Sequence, residues 1–457
     1  MIEATVAEVA AACGGRVVGG NGEVRIRGAS TDSRMLEAGQ LFFALRGDNH
    51  DGHEFVGDAI AAGAQAVVVE REPSPEFLSR ATAVIVPDTL QALADLAAWH
   101  RSRFDLPVIA VTGSTGKTTT KEMLAAILSQ SRTVLASVGT ENNEVGVPRT
   151  LLRLGAEHDV CVLEFAMRGL REIAYLAEIG RPFGGVVTNV AEAHIGRLRS
   201  RRRIAAAKAE LASALPPEGF AVLNADDDLV TRMDQATKAR ILRFGLYSPA
   251  DLMARDLALH GPEGSDFRVC GMGRDFPVHL ALPGLHNVYN ALAAATAALA
   301  LRATPRDIKL ALADFEPLPR RGQILRHNGC VIVDDSYNAS PASVRAILSV
   351  ISEIPVQGRR IVVLGDMLEL GEGTEPEHRA VGRSLVNHGV SLLVTVGPAS
   401  RAAAAGAREV GVEALSCDDQ GGAVQVLRER LQPGDLVVVK GSRRMGMDGI
   451  VRELLGD

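Results

Sequence analysis

The sequence predicts an α/β protein in which mostly parallel sheets carry helices on both faces. Short, continuous apolar runs rich in β-branched residues recur along the 457 residues, and most of them end in a polar or glycine-rich turn. Such runs are typical of strands buried on both faces of a parallel sheet. Helical patterns such as K-E-M-L-A-A-I-L and V-R-A-I-L-S-V-I lie between them. This alternation of strands and helices indicates a doubly wound architecture.

Most of the predicted strands end in, or are followed by, polar or charged side chains. In order they are V-I-A-V-T-G to Gly113, V-C-V-L-E-F around Glu164, G-V-V-T-N-V around Asn189, V-I-V-D-D-S-Y-N to Asn338, I-V-V-L-G-D-M to Met367, L-L-V-T-V-G to Gly397 and L-V-V-V-K-G to Gly441. Ligands of open α/β sheets bind beyond the carboxyl ends of the strands. The residues at these ends are therefore the first candidates for a functional site.

Length predicts roughly three domains at about 150 residues per domain. A smaller α/β unit is expected over residues 1–103, with L-F-F-A-L-R-G and A-V-V-V-E as strands. A central P-loop-type domain is expected over 104–318. Two prolines interrupt a helical pattern at 316–322, so a Rossmann-like domain is expected over 319–457.

Composition excludes several classes of protein. The 49 Lys and Arg against 55 Asp and Glu give a net charge of −6, which argues against a nucleic-acid-coating protein. With 1 Trp, 4 Tyr and 12 Phe, a base-stacking platform is hard to build. The five cysteines are widely spaced, as expected of reduced thiols in a cytoplasm. The acidic start lacks a signal-peptide pattern, and no apolar run is long enough to span a bilayer. We expect a cytoplasmic monomer without membrane insertion.

The segment V-I-A-V-T-G-S-T-G-K-T-T-T-K-E carries the strongest chemical signal. A predicted strand delivers Gly113, and Gly116-Lys117-Thr118 opens a predicted helix. Backbone N–H groups of such a loop cradle phosphates, the lysine neutralises them, and the adjacent hydroxyl is the usual Mg²⁺ ligand. The strict pattern has glycine where this chain has Val111. The order of strand, loop and helix nevertheless predicts an ATP-type phosphate site, formed by Gly113, Ser114, Thr115, Gly116, Lys117, Thr118 and Thr119.

Further motifs extend this match over most of the chain. They occur in the order T-G-S-T-G-K-T-T-T-K-E, E-N-N-E-V-G-V-P, T-N-V-A-E-A-H-I, A-A-A-K-A-E-L and P-G-L-H-N-V-Y-N-A-L-A-A-A. Together they resemble the Mur ligases, ATP-dependent amide-forming enzymes of peptidoglycan precursor synthesis. D-G-H-E-F, D-D-S-Y-N-A-S-P, G-D-M-L-E-L-G and K-G-S-R-R-M resemble members that add a dipeptide, and the D-N-P-R motif of the diaminopimelate-adding ligases is absent.

The resemblance implies a reaction and its substrates. ATP would phosphorylate the terminal carboxylate of UDP-N-acetylmuramoyl-tripeptide, and D-alanyl-D-alanine would then displace the phosphate from the acyl phosphate. Such chemistry needs fixed cations and a metal clamp on the transferring phosphoryl group. Another ligase of the superfamily, diaminopimelate- or lysine-adding or folylpolyglutamate-type, is the alternative. A P-loop switch is disfavoured because no N-K-x-D motif occurs. The third residue of the tripeptide stays open.

The resemblance also implies the catalytic and metal-binding residues. Glu164 matches the family's Mg²⁺ carboxylate, and His194 matches a histidine at a second metal, so two Mg²⁺ ions are expected with Thr118 and Lys208 as further ligands. Lys208 matches a lysine that relatives carry as a carbamate. Taken alone, each residue has a structural alternative: a strand-end salt bridge, a polar loop histidine and a surface lysine.

The remaining candidates bind nucleotide or peptide by resemblance. Asn287 and Asn290 share one helical face and suit an adenine edge, although Asn287 could simply cap the helix. Arg321, with Arg320 as a rival, would reach the γ-phosphate. Asp335 would contact ATP, and the hinge residues Tyr337 and Asn338 would contact the dipeptide. Substrate contacts are also expected from Ser33, Arg34, Asn142, Asn143, Asp366, Lys440, Ser442 and Arg443.

Two stretches depart from the family pattern. Ala166 and Arg168 follow Glu164 where relatives often have M-G, and the stretch 196–204 is unusually basic. We interpret the basic stretch as a solvated helix start in preference to an anion site. These departures affect details of metal or substrate positioning and leave the reaction class unchanged.

Overall fold

The N-terminal unit is built on a five-stranded sheet of order β2-β7-β6-β5-β4, in which β2 is antiparallel and the other strands are parallel. The computed structural model describes residues 1–47, 50–192 and 195–456. The strands are β1 Glu3–Thr5, β2 Arg16–Val18, β3 Arg25–Arg27, β4 Ala29–Ser30, β5 Leu41–Phe43, β6 Ala66–Val69 and β7 Thr82–Ile85, and the helices are α1 Val6–Ala12, α2 Val56–Ala61, α3 Pro75–Leu78 and α4 Thr89–Arg101.

The central unit has a nine-stranded sheet of order β16-β15-β14-β13-β12-β11-β8-β10-β9. The strands from β9 to β14 in that order are parallel, and β14, β15 and β16 form an antiparallel meander. The strands are β8 Val108–Thr112, β9 Val134–Ala136, β10 Val160–Glu164, β11 Gly184–Val187, β12 Phe220–Asn224, β13 Arg240–Gly245, β14 Leu252–Leu259, β15 Ser265–Gly271 and β16 Arg274–Leu280. The helices are α5 Lys117–Ser129, α6 Gly146–Leu151, α7 Glu172–Gly180, α8 Ile195–Leu198, α9 Arg201–Ser213, α10 Asp228–Thr231, α11 Leu285–Ala300 and α12 Pro305–Ala313.

The C-terminal unit has a six-stranded sheet of order β17-β18-β22-β19-β20-β21, parallel except for β17. Its strands are β17 Gln323–His327, β18 Cys330–Asp334, β19 Arg360–Gly365, β20 Val390–Val396, β21 Glu413–Cys417 and β22 Leu436–Lys440. Its helices are α13 Pro341–Glu353, α14 Thr374–Ser384, α15 Arg401–Glu409, α16 Gln420–Arg430 and α17 Asp448–Leu455. Short 3₁₀ turns span Ser33–Met35, Gly52–Phe55, Arg232–Ala236, Gly261–Glu263, Gly371–Gly373, Leu385–His388 and Arg443–Met445.

These sheets confirm the predicted fold class, because the long apolar runs are central parallel strands with helices on both faces. Each described strand lies within one of the predicted ranges 1–103, 104–318 and 319–457, whose exact limits stay a prediction. Over the described residues, no helix combines the length and apolarity needed to cross a membrane.

The junction between the first two units is buried. Leu93, Leu96 and Ala97 of α4 belong to the same hydrophobic cluster as Leu151 of α6 and Leu176 of α7. The backbone also crosses this junction, because the Ile2 N–H donates to the Leu152 carbonyl at 2.8 Å. The N-terminal unit is therefore packed into the central unit through a shared core.

Candidate active site

The phosphate loop lies directly after β8, whose five residues are all buried. Gly113 and Gly116 have φ values of +155° and +78°. A Cβ at 113 would lie 1.8 Å from the Thr188 Oγ1, and a Cβ at 116 would lie 2.2 Å from the Asn290 Oδ1. Only glycine allows these close approaches. Val111 is fully buried within β8, so the loop begins after the strand and does not need the glycine of the strict pattern.

The loop is fixed from one side by β11. The Asn189 Oδ1 accepts the Thr115 N–H at 3.0 Å, and the Asn189 carbonyl accepts the Ser114 N–H at 3.0 Å. Lys117 opens α5, and its Nζ donates to the Gly113 carbonyl at 2.9 Å. Burial lowers the pKa of Lys117, which the Glu164 carboxylate opposes and the charge of Arg321 reinforces. A half-buried cation that lines the cleft beside a helix N-terminus is suited to binding a terminal phosphate.

Glu164 ends β10, which pairs with β8 in parallel and so places the carboxylate beside the phosphate loop. The side chain is 1% exposed. Its Oε1 accepts from the Asn142 Nδ2 at 2.8 Å, whereas its Oε2 is buried without a hydrogen-bond partner among the described residues. An orphaned carboxylate oxygen is costly unless a ligand satisfies it. Together with the nearby Thr118 hydroxyl, it offers the oxygen ligands that Mg²⁺ prefers.

Lys208 is 2% exposed on α9. Burial, reinforced by the charge of Lys117, lowers the pKa of Lys208 well below its ordinary value. The neutral amine is thus favoured, which is the form that adds CO₂. His194 lies outside the described residues. Among those that are described, no group of three or more His, Cys, Asp and Glu side chains is arranged to hold a metal.

Two asparagines lie at the start of α11, as the spacing predicts. The Asn290 Nδ2 donates to the Asn287 Oδ1 at 3.1 Å, and the Asn287 Nδ2 donates to the Pro283 carbonyl at 2.9 Å. The alternative role of Asn287 as the helix cap is wrong, because Gly284 occupies the N-cap position. Asn287 and Asn290 both line the cleft next to the phosphate loop.

The C-terminal unit supplies the opposite wall. The Lys440 Nζ donates to the Asp335 Oδ2 at 2.6 Å and to the Asn338 carbonyl at 2.7 Å. Burial raises the pKa of Asp335, and the ammonium of Lys440 opposes that rise. Arg443 donates from its Nη1 to the Tyr337 hydroxyl at 3.0 Å and to the Thr140 Oγ1 of the central unit at 3.1 Å. Arg443 therefore bridges the two units.

One cavity of about 1030 Å³ joins these groups. It is lined by most of the predicted residues, namely Ser114, Thr115, Gly116, Lys117, Thr118, Thr119, Asn142, Asn143, Glu164, Asn287, Asn290, Arg321, Asp335, Tyr337, Asn338, Lys440, Ser442 and Arg443. Arg321 lines it and its rival Arg320 does not; Arg320 instead pairs with Asp448 at 3.3 Å.

Other predicted residues lie away from this cavity. Gly113 and Lys208 are not among the residues that line it, and Ser33 and Arg34 lie in the N-terminal unit. Arg34 pairs with Asp32 at 2.7 Å and its side chain is 85% exposed. Asp366 is 4% exposed, and its Oδ1 accepts the Ser400 N–H at 2.8 Å. This placement gives the Asp366 carboxylate a structural role and does not favour direct contact with a dipeptide.

The basic stretch is solvent-exposed at all five of its arginines, Arg197, Arg199, Arg201, Arg202 and Arg203. Arg202 and Arg203 are exposed at the start of α9, as the interpretation of a solvated helix start expects. The Arg201 Nη2, however, donates to the Val190 carbonyl at 2.9 Å, and Arg197 lies 4.0 Å from Glu369 of the C-terminal unit.

Sequence reasoning missed two groups of residues near the cleft. Lys121, one turn after Lys117, is fully buried, and its Nζ donates to the Ser137 carbonyl at 2.5 Å. The Tyr289 hydroxyl, in the cleft wall, donates to the Asp226 Oδ2 at 2.9 Å. The four-residue spacing from Lys117 could have placed Lys121 on the same helical side, but its partner lies in a loop that sequence does not position.

Comparisons with known proteins define the class of this fold and site. Residues 111–298 match the Mur ligase middle domain, residues 320–443 match the glutamate ligase domain of Mur ligases, and residues 25–101 match the catalytic domain of the Mur ligase family. The chain belongs to the Mur ligase family, and it is an ATP-dependent ligase that forms carbon–nitrogen bonds.

Within the Mur ligase family, the chain is similar over nearly its full length to relatives that share one name. The chain is 38% identical to the UDP-N-acetylmuramoyl-tripeptide–D-alanyl-D-alanine ligase of Synechocystis over 95% of this chain and 93% of the relative. It is 36% identical to the ligase of the same name from Escherichia coli over 99% of both chains. The structure of MurF from Acinetobacter baumannii covers 100% of both chains with a TM-score of 0.91 and 32% identity. The MurF ligase of Thermotoga maritima in complex with ADP covers 94% of this chain and 97% of its own, with a TM-score of 0.82 and 27% identity.

Proposed function

We propose that the cleft between the central and C-terminal units joins D-alanyl-D-alanine to UDP-N-acetylmuramoyl-tripeptide with hydrolysis of ATP to ADP and phosphate. The chain shares this activity with its near-full-length relatives, and the product is the pentapeptide precursor of peptidoglycan. The observation that carries the assignment is the shared cavity, in which the phosphate loop and Glu164 face Tyr337 and Arg443 of the C-terminal unit.

The first step is phosphoryl transfer to the tripeptide. A terminal carboxylate oxygen of the tripeptide attacks the γ-phosphorus, the bond to the ADP oxygen breaks, and an acyl phosphate forms. Lys117 and Arg321 would hold the transferring group, while the N–H groups of the loop hold the remaining phosphates. Glu164 and Thr118, with Lys208 and His194 as further candidates, would hold Mg²⁺, expected as a pair. When bound, Mg²⁺ neutralises charge that develops on the phosphate oxygens.

The second step forms the amide. The uncharged amine of D-alanyl-D-alanine attacks the acyl carbon, the bond to the phosphate oxygen breaks, and the proton lost by the nitrogen leaves with the released inorganic phosphate. Arg443 is the best placed cation for the dipeptide carboxylate, because it is exposed to the cleft and held by Tyr337. Lys440 is already engaged by Asp335, so its role in the cleft is to hold the segment from Asp335 to Asn338.

Each of the three predicted domains binds a different substrate. Residues 1–103 bind the uridine diphosphate through Ser33 and Arg34, residues 104–318 bind ATP, and residues 319–457 bind the dipeptide. The carbamate on Lys208 is supported by the lowered pKa of that amine. The protein works in the cytoplasm as a monomer.

The test is release of phosphate from ATP with each substrate present or omitted. Release is expected only when UDP-N-acetylmuramoyl-tripeptide and D-alanyl-D-alanine are both added. Release driven instead by free glutamate or diaminopimelate would refute the proposal and favour another ligase of the family. Comparing tripeptides that carry lysine or diaminopimelate identifies the third residue.

A further inference from the structure

A short segment connects the phosphate loop with the C-terminal unit. This junction segment comprises residues 189–192 and 195–197. At its first end, Asn189 holds the N–H groups of Ser114 and Thr115, and the Ala191 N–H donates to the Ser114 Oγ at 2.9 Å. Any displacement of this end must therefore move the phosphate loop.

At its other end, the junction segment meets the C-terminal unit backbone to backbone. The Gly196 N–H donates to the Glu369 carbonyl at 2.9 Å. A Cβ at 196 would lie 2.7 Å from both the Glu369 carbonyl oxygen and the Gly371 nitrogen, and a Cβ at 371 would lie 2.8 Å from the Gly196 Cα. Real Cβ atoms do not approach backbone this closely. Glycine at 196 is thus required for the two units to meet as they do.

Side chains around this contact reinforce it. Ile195 packs against the core that holds α9 and also against the core of the C-terminal unit. Arg345 of α13 lies 3.6 Å from Glu192 and 3.7 Å from Glu377. These exposed ion pairs each contribute little to stability. They nevertheless place opposite charges across the contact, because the guanidinium of Arg345 lies between the carboxylate of Glu192 in the central unit and that of Glu377 in the C-terminal unit.

We propose that Gly196 is a positioning residue that couples docking of the C-terminal unit to the geometry of the phosphate loop. The inference rests on the proposed function, in which the C-terminal unit binds the dipeptide that supplies the amine. In the same function, the phosphate loop binds the phosphates of the ATP that activates the tripeptide carboxylate. When residues 369–371 seat on Gly196, the junction segment is held at both ends. The amine and the activated carboxylate then meet in one fixed arrangement, which raises the rate of such a two-substrate step.

The Gly196→Ala variant separates docking from folding. Gly196 lies in α8, where alanine is favoured over glycine, so a loss cannot come from helix propensity. The matched control is Gly373→Ala, since Gly373 lies two residues from Gly371 and a Cβ there would meet only the Glu377 Cγ at 3.8 Å. Turnover with both substrates, ADP affinity by calorimetry and thermal unfolding are measured for each protein.

We expect Gly196→Ala to lower kcat by roughly tenfold or more and to raise the ADP dissociation constant, because the displaced junction segment moves the phosphate loop, with the melting temperature close to wild type. Gly373→Ala should match wild type in all three. Equal kcat in the two variants would overturn the proposal, as would a loss of kcat in Gly196→Ala with the ADP affinity unchanged. A wild-type protein without dipeptide-dependent turnover would instead refute the proposed function.

If Gly196→Ala does not fold, a second pair of variants tests the coupling between docking and the phosphate loop. Glu192→Arg places a cation beside Arg345 and Arg201. The Glu192→Arg/Arg345→Glu double variant restores opposite charges at positions 192 and 345 but sets like charges against Arg201 and Glu377, so partial recovery is expected. Lower kcat in the single variant and recovery in the double variant support the coupling. Equal kcat in the single variant and the wild type overturns it.

Discussion

The guanidinium carbon of Arg321 lies 4.0 Å from the centre of the Tyr337 ring. The guanidinium carbon of Arg443 lies 5.4 Å from the same centre. One aromatic ring thereby holds the cation proposed for the γ-phosphate and the cation proposed for the dipeptide carboxylate. Cation–π contacts contribute about 0.5–2 kcal/mol each, so the ring fixes two side chains that otherwise have many rotamers.

Replacing Tyr337 tests this arrangement. Tyr337→Ala should lower kcat/KM for D-alanyl-D-alanine by roughly tenfold or more, because both guanidinium groups lose their ring contact. Tyr337→Phe keeps the ring and loses only the hydrogen bond to Arg443, so a smaller loss is expected. Steady-state kinetics with either substrate varied will distinguish the two. Equal losses in the two variants would mean that the hydroxyl, and not the ring, is what matters.

Lys208 should carry a carbamate in the active protein. Its lowered pKa keeps the amine neutral at a pH where an ordinary lysine is charged. With ¹³C-bicarbonate, a carbamate carbon signal is expected in the wild type and not in Lys208→Ala, which should be strongly impaired in turnover. A Lys208→Ala variant with wild-type activity, unchanged by bicarbonate, would disprove the assignment.

Lys121 should be needed for stability. Its buried ammonium donates to the Ser137 carbonyl and lies 2.5 Å from the Glu122 Oε1. Lys121→Met leaves that carbonyl without its partner, so a loss of about 1–3 kcal/mol in the free energy of unfolding is expected. Urea denaturation measures it, with Lys309→Met as the control because Lys309 is exposed on α12. A loss of similar size in both variants would contradict this role.

His100 should make the protein less stable in acid. Burial lowers the pKa of His100 to about 4, while its Nε2 lies 3.0 Å from the Leu154 carbonyl oxygen. The unfolded chain, with a histidine pKa of about 6.5, binds this proton first, so stability falls as pH decreases from about 6.5 towards 4. At 1.36 kcal/mol per pKa unit, the loss approaches about 3 kcal/mol.

Urea denaturation of the wild type and His100→Gln at pH 7 and pH 4.5 measures the histidine contribution. The variant is expected to show a flatter dependence of stability on pH. An unchanged slope between these two pH values would assign the acid sensitivity to other groups.

Much of the fold could be predicted because it depends on local patterns. The apolar runs became central parallel strands, and the segment from Val108 to Lys117 became strand, loop and helix as predicted. Asn287 and Asn290 came together because their spacing is fixed by the helix. Asp366 shows what local patterns do not predict. Its position directly after β19 could be predicted from the sequence. Its hydrogen bond from the Ser400 N–H could not, because that bond depends on the path of the chain after β20. The contact between Gly196 and Gly371 likewise depends on the relative placement of two units, which no local pattern encodes.

The shared core around α4 has a consequence for cooperativity. Because Leu96 packs in one cluster with Leu151 and Leu176, the first unit cannot lose its structure without exposing apolar surface of the second. Residues 1–313 should therefore melt in a single calorimetric transition, even though they contain three sheets, one of them the two-stranded pair of β1 and β3. Expressed alone, residues 1–103 would leave α4 without its covering helices and would be prone to aggregate. The described residues thus form four sheets but only two separable folding units.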